Sequence, residues 1–408
     1  MKCRHCASHL HLPLVDLGSA PPSNAYLTEK TLAAPEKWFP LRVLVCERCW
    51  LVQTEDFAQA EELFDANYAY FSGFSSSWLA HCERYVAEMA GRFGMGRESH
   101  VVEVAANDGY LLQYVRGRDI PCTGVEPTAL TAAAARAKGI PVIEEFFGVR
   151  LAGAMATEGK QADLTVANNV LAHVPDINDF VAGFSILLKP EGVATFEFPH
   201  LLRLVAENQF DTIYHEHFSY LSLTAVDRIL YSGGLSVFDV QELPTHGGSL
   251  RVFAQRATSG QRARHHRVDQ LLGQEAQAGM TTAFYYAGFQ ASTDKVKNAF
   301  LSFLLEARRQ GKSVAAYGAA AKGNTLMNYS GIRPDLISFV ADRNPAKQGK
   351  FMPGSRIPIT NEAGLKNFRP DYVVILPWNL KAEVTQQLGY IADWGGRFVT
   401  AIPQLELV

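Results

Sequence analysis

Between residues 214 and 222 the chain reads YHEHFSYLS, and Tyr214, His215, Glu216 and His217 set four titratable side chains in a row. No apolar period accounts for that clustering. A zinc hydrolase of the H-E-x-x-H kind needs histidines four apart on one helical face. His215 and His217 are two apart, and no further ligand set accompanies them. On a helical turn, Tyr214 and His217 are three apart and share a face, with Glu216 next door to orient or charge-balance the imidazole. An imidazole with a pKa of about 6.5 suits proton abstraction, and a phenol suits relay or donation to an oxyanion. The same residues also describe a polar turn between domains with its histidines satisfied by backbone. His215 is read as structural.

A second cluster is made of sulfur. Four of the six cysteines form two knuckles, CRHC (Cys3, Cys6) and CERC (Cys46, Cys49). Two C-x-x-C pairs supply four thiolates to one tetrahedral zinc, and four sulfur ligands leave no open position for catalysis. A structural zinc is expected. Cys82 and Cys122 read as buried thiols.

Elements must position these groups. At 408 residues the chain exceeds one ordinary core, so two or three domains are expected. Residues 1–65 hold the knuckles around loop-rich sequence with no long periodic segment. After the helical stretch SSSWLAHCERYVAEMAGRF, strands and helices alternate as in an open parallel sheet: VVEVAANDG, PCTGVEP, IPVIEEFFG, ADLTVANN and GVATFEFPHL. QRATSGQRARHHRVDQ, around 255–270, reads as a polar, basic connector. A long helical region to about Gln310 and a second α/β pattern, KSVAAYGAAAKGNT to YVVILPWNL, complete the chain. The expected divisions are 1–65, 66–260 and 261–408.

VVEVAANDG places Glu103 at a strand's carboxyl end and Gly109 at the turn, where ligands of open α/β sheets bind. Glu126, about twenty residues on, stands where an acid accepts from ribose hydroxyls. No G-x-G-x-x-G is present, so a pyrophosphate cradle is missing and S-adenosylmethionine is favoured over NAD. THGGSLRVF brings His246, with Gly247 and Gly248 allowing close backbone approach. In YGAAAKGNT, backbone N–H groups with Lys322, Gly323 and Asn324 are candidates to hold a pyrophosphate, or else mark close strand–helix packing.

A net charge of −3 gives no overall attraction to nucleic acid, and no run of eighteen apolar residues is present. The N-terminus lacks an apolar signal core. A cytoplasmic chain acting on a small molecule, without nucleic-acid or membrane partners, is expected.

MKCRHC, EVAANDG, VLAHVPD, YHEHFSYLS, THGGSLRVF and YGAAAKGNT occur in this order. Together they resemble the S-adenosylmethionine-dependent deoxysugar C-methyltransferases that act on dTDP-4-keto sugars, of the tetronitrose C-3′ type. The resemblance implies an α/β chain with a small zinc-binding N-terminal domain, a central Rossmann-like methyltransferase domain and a C-terminal Rossmann-like α/β domain helping to bind the sugar nucleotide. It places Glu103, Asn107, Gly109, Glu126, Asn168 and Asn169 around the cofactor, with Phe146 and Phe147 flanking the adenine or else serving as core residues. Combined with the chemistry above, it makes His217 the base, Tyr214 the relay or oxyanion donor and Glu216 the orienter. Tyr68 and His173 match further pocket positions. The implied reaction is methylation at C-3 of a dTDP-linked 4-keto-6-deoxysugar through an enolate, by a monomer. The family commonly has glycine where this chain has Ala105, which is acceptable if φ stays negative there. C-5 methylation follows the same logic. A zinc-ribbon RNA methyltransferase and an NAD-linked oxidoreductase are the readings from other classes.

Overall fold

The computed structural model describes residues 1–55, 57 and 71–408. Strands β1 (Leu12–Ala20), β2 (Phe39–Val45) and β3 (Val52–Thr54) pair antiparallel at the N-terminus. Along β2, Leu41, Val43 and Val45 are buried and Arg42 is exposed, the period-two pattern of a one-faced sheet. The period is carried by short strands and not by a long segment, and two bulges in β1 blur its share of the pattern.

Helix α1 (Ser76–Phe93) starts where the Ser75 hydroxyl accepts from the Trp78 amide, and it ends at Gly94, whose φ is 62°. The central strands are β4 (Val101–Val104), β5 (Cys122–Val125), β6 (Val142–Ile143), β7 (Ala162–Asn168) and β8 (Leu188–Pro199). Next come the two-residue β9 (Ser219–Tyr220), β10 (Leu235–Leu243) and β11 (Ser249–Arg256). The central sheet runs β10-β11-β8-β7-β4-β5-β6, parallel from β8 to β6, with β11 antiparallel to both its neighbours. Strand order reverses between β4 and β7, so the ligand crevice of this open sheet lies at their carboxyl ends. Helices α2 (Ala129–Ala137) and α3 (Ile177–Leu187) belong to this layer.

Strand β9 leaves that sheet and pairs antiparallel with β3, joining the N-terminal sheet in the order β1-β2-β3-β9. The basic stretch around 255–270 is only half connector. A helix begins at His266 and buries Val268, Leu271 and Glu275, a stripe that starts too late to show within the stretch. Its Arg264 and Arg267 are answered by Asp227, Asp269 and Asp239.

After the long helix α4 (Phe289–Arg309), strands β12 (Val314–Tyr317), β13 (Val340–Ala341), β14 (Ile359–Thr360), β15 (Tyr372–Ile375), β16 (Arg397–Thr400) and β17 (Glu406–Leu407) form the third sheet. Its order is β14-β13-β12-β15-β16-β17, with only β17 antiparallel, and helix α5 (Ala321–Tyr329) follows β12. The N-terminal strands bind the lobes together. Leu14, Val43 and Val45 share one apolar core with Phe300, Leu304, Met327 and Val340, while Cys3, Cys46, Cys49 and Leu51 pack with Leu171, Phe184 and Phe196 of the central layer. Among the described residues no helix is long and apolar enough to cross a membrane.

Candidate active site

The loop after β4 is built from left-handed residues: Ala105 at φ 58°, Asn107 at 49° and Gly109 at 75°. Ala105 thus takes the positive φ that the alanine was expected to avoid. For an L-residue this costs about 1–2 kcal/mol, and the loop accepts it because both flanking segments are held. Glu126 accepts from the Asn107 amide (2.9 Å), the Thr128 amide (3.0 Å) and the Thr128 hydroxyl. The Asn107 side chain in turn accepts from the Ser72 amide (2.9 Å). These three contacts fix the Glu126 carboxylate against the loop after β4.

Gly109 is used for the turn and for packing; a Cβ there would lie 2.4 Å from Ile140. Glu103 is fully buried, and burial pushes its carboxyl well up, with Tyr110 easing the charge only partly. At the end of β7, the buried Asn168 amide has neither end partnered, and the Asn169 side-chain oxygen is likewise unpaired. Unpartnered polar atoms at the carboxyl end of β7, next to β4 in the sheet, fit a polar nucleoside such as S-adenosylmethionine. Phe147 is instead taken by the core. Its ring meets Phe180 and Phe184 of α3 edge-on at 5.6 and 4.9 Å, because glycine at 183 lets it approach the helix. Phe146 is the exposed one of the pair.

Across the crevice, residues 214–217 make one hydrogen-bonded turn rather than a helix, closed by the His217 amide on the Tyr214 carbonyl (2.9 Å). The turn still stacks Tyr214 on His217, with ring centroids 3.9 Å apart. His217 Nδ1 lies 2.7 Å from the Thr212 carbonyl, which can only accept, so Nδ1 carries the proton and Nε2 is bare. The Tyr214 hydroxyl donates to that Nε2 at 2.7 Å. Burial, reinforced by His173, holds the imidazole well below the usual range. His173 donates from Nδ1 to the Glu216 carbonyl (2.8 Å), meets His217 edge-on at 4.5 Å, and is lowered by burial to about 4.

Glu216 does not orient the imidazole with its carboxylate. That group turns away to accept from the Asn24 amide (3.2 Å) and side chain (3.1 Å), and burial raises its pKa. The Thr212 carbonyl orients His217 instead. His215 faces the Phe39 and Pro40 carbonyls. Tyr68 lies outside the described residues.

The third wall comes from two other loops. His246 is left-handed (φ 56°), sits edge-on to Trp78 at 5.2 Å, and is lowered by burial to about 4. Gly247, at φ 89°, is required: a Cβ would lie 2.4 Å from the Trp378 ring. Trp378 donates to Asp211 (2.8 Å), whose carboxyl burial lifts to about 6. Half-buried Lys322 lies over the Trp378 ring at 4.7 Å and donates to Asn379 (3.0 Å); burial lowers its pKa, with Asp211 opposing.

The rest of the expected pyrophosphate cradle is otherwise engaged. The Ala319 amide donates to Asp342 (2.7 Å) and the Ala320 amide to Gly318 (2.8 Å). Gly323 is covered by Leu376, the Asn324 backbone amide donates to the Ala320 carbonyl (3.2 Å), and the Asn324 side chain donates to the Ser23 carbonyl. An acid at the loop and close strand–helix packing disfavour a phosphate there.

Sequence reasoning missed the knot behind His246. Glu197 at the end of β8 accepts from His81 (3.0 Å), Arg251 (2.8 Å) and Thr245 (3.1 Å). It missed Asp211 and Thr212 as well. Trp378 meets Asp211 across 167 residues, and no spacing rule registers such a pair.

The four knuckle sulfurs lie within 4.8 Å of one another, with Cys3–Cys49 and Cys6–Cys46 both at 3.5 Å. A tetrahedron with zinc–sulfur bonds of about 2.3 Å has edges of roughly 3.8 Å, so the set fits zinc.

Three family profiles match in succession: a zinc binding domain over residues 3–64, a methyltransferase domain over 78–240 and a C-methyltransferase C-terminal domain over 244–403. The C-methyltransferase NovU of Streptomyces niveus is 34% identical over 407 residues, covering 100% of this chain and 96% of that protein. Among solved structures, the PH0226 protein of Pyrococcus horikoshii OT3 has 13% identity, covers 49% of this chain and 99% of its own, and has a TM-score of 0.39. Magnesium protoporphyrin IX methyltransferase of Synechocystis PCC 6803 has 14%, 44%, 79% and 0.34 respectively, and similarity this low adds nothing to the assignment. With full-length identity to a C-methyltransferase and all three profiles in order, the chain belongs to the S-adenosylmethionine-dependent C-methyltransferases.

Proposed function

We propose that this C-methyltransferase methylates C-3 of a dTDP-linked 4-keto-6-deoxysugar, using His217 as base. A ketone at C-4 acidifies the neighbouring C–H because the carbanion is delocalised as an enolate. The observation that carries the reading is the chain Tyr214 hydroxyl, His217 Nε2, His217 Nδ1, Thr212 carbonyl, in which the only bare nitrogen points at a phenol. On this reading Tyr214, which covers the bare nitrogen, is the group that meets the sugar. It accepts the C-3 proton while its own proton passes to Nε2, so His217 is the base through Tyr214. Burial disfavours the resulting imidazolium until a negative enolate forms opposite it, and the site therefore favours charge separation only in the reacting state. S-adenosylmethionine, when bound, supplies an electrophilic methyl on a sulfonium.

His173 steadies the turn and lines the pocket, and the family resemblance alone adds Tyr68 to the residues that serve the substrate. His246, Gly247 and Lys322 hold the sugar nucleotide, with Lys322 offering the positive charge. Glu103, Asn107, Glu126, Asn168 and Asn169 hold the cofactor. The functional units are residues 1–65, 66–260 and 261–408, acting in a cytoplasmic monomer. Incubating dTDP-4-keto-6-deoxysugars with enzyme and isotope-labelled methyl donor, followed by mass spectrometry, tests this. A gain of one methyl mapped to C-3 by NMR is expected; methyl at C-5 or on RNA, or none on any such sugar, overturns it.

A further inference from the structure

The zinc knuckles are joined to the catalytic turn by a short run of hydrogen bonds. Gln53, fully buried on β3, donates from its side chain to Cys3 Sγ (3.3 Å) and accepts from the Arg4 amide (2.9 Å). Its backbone pairs with Ser219 of β9, two residues beyond His217. Next along β3, Thr54 gives its amide to the Phe218 carbonyl (3.1 Å) and its hydroxyl to the His217 carbonyl (3.1 Å). Arg4, inside the first knuckle, donates to the Thr54 carbonyl (3.1 Å) and the Pro175 carbonyl (3.1 Å), with its guanidinium over Phe218 at 5.3 Å. The other side of the turn is held by the Phe218 amide on the Ala172 carbonyl (2.8 Å).

We infer that Gln53 and Thr54 are positioning residues, through which the zinc centre sets the place of Tyr214 and His217. This rests on reading those two residues as the proton-transfer pair. Strand β3 is three residues long, begins three residues after Cys49 and pairs with β2 over only three residue pairs, so the second knuckle lies close enough to add to that short ladder. Without metal, the four thiolates repel instead of sharing one cation, and β3 keeps only its pairing with β2 and β9 and its apolar packing to hold the turn. The cofactor loop after β4 hangs on the central sheet and has no share in this path.

The test uses the full-length protein, zinc-loaded and chelator-stripped. Amide exchange of peptides spanning 212–222 should accelerate about tenfold or more on zinc loss, together with the knuckle peptides, while 101–109 keep their protection. Unchanged exchange at 212–222 overturns the inference, and so does equal acceleration at 101–109, which would mean general unfolding. Thr54→Val should lower kcat about tenfold with KM and cofactor Kd unchanged, and Thr54→Ser should restore it. A fully active valine variant, or a serine variant that does not restore kcat, overturns it too. Where valine prevents folding, the exchange result on the unsubstituted chain decides. The exchange needs no sugar, so it stands or falls separately from the methyl-transfer reading.

Discussion

Lowering the pH from about 7.5 to about 5.5 should leave the imidazoles of this site neutral, although an ordinary histidine becomes roughly nine-tenths protonated over that interval. His217 is held well below the usual value mainly by burial, then by His173; Lys322 and His246 act in the same direction, and the Thr212 carbonyl opposes them. His173 and His246 sit at about 4, so only about one molecule in thirty is protonated at either by about pH 5.5. Bare Nε2 is the working form. Turnover at saturating substrates should therefore fall less than about twofold, where an imidazole at about 6.5 would lose roughly tenfold.

The same shift has a stability sign. Unfolded histidine takes up a proton that the folded one refuses, so stability falls with pH from the unfolded pKa of about 6.5 down towards the folded value. The loss by about pH 5.5 is on the order of 1 kcal/mol for His173. Asp211, lifted to about 6, acts in the opposite direction, so the quantity to measure is the difference between the native chain and His173→Gln. That difference should narrow by about 1 kcal/mol on acidification. NMR of isotope-labelled histidine, assigned with His217→Asn and His173→Gln, reads ring charge and tautomer directly, with bound zinc checked at each pH. A His217 ring that titrates near about 6.5, or that carries its proton on Nε2, would refute the geometry argued here.

Three further outcomes follow from the same contacts. His217→Asn should lose about a hundred- to ten-thousand-fold in turnover while binding cofactor normally by calorimetry; near-normal methylation would remove the base. Ala105→Gly relieves a left-handed alanine worth about 1–2 kcal/mol against roughly half that in unfolded-chain entropy, so denaturation should show a gain of the order of 0.5–1 kcal/mol; a loss would contradict the φ of 58°. Gly247→Ala places a Cβ 2.4 Å from Trp378 at a positive φ, so KM for the sugar nucleotide should rise by about tenfold or more with cofactor Kd unchanged; an unaltered KM would detach this loop from the substrate.

What the sequence by itself determined is what local pattern encodes. The knuckles announce a sulfur tetrahedron because C-x-x-C spacing brings two thiolates to one ion whatever surrounds them. The strand–turn–helix runs announce the central and C-terminal sheets because buried parallel strands need continuous apolar stretches. Tyr214 and His217 were legible as a pair because three residues of any tight turn bring side chains together.

Tertiary structure decided which groups those side chains would face. Glu216, a neighbour in sequence, points to Asn24, and the orienting acceptor is a backbone carbonyl, which no residue type reveals. Phe147 went to the core because glycine at 183 opened a place for it, and the GAAAKG loop was closed by Asp342 and Leu376, both distant in the chain. The depth of burial, which holds the His217 imidazole well below its usual range, is a property of three packed lobes. Composition and spacing carry no measure of that, because desolvation depends on every atom nearby and not on the order in which they are joined.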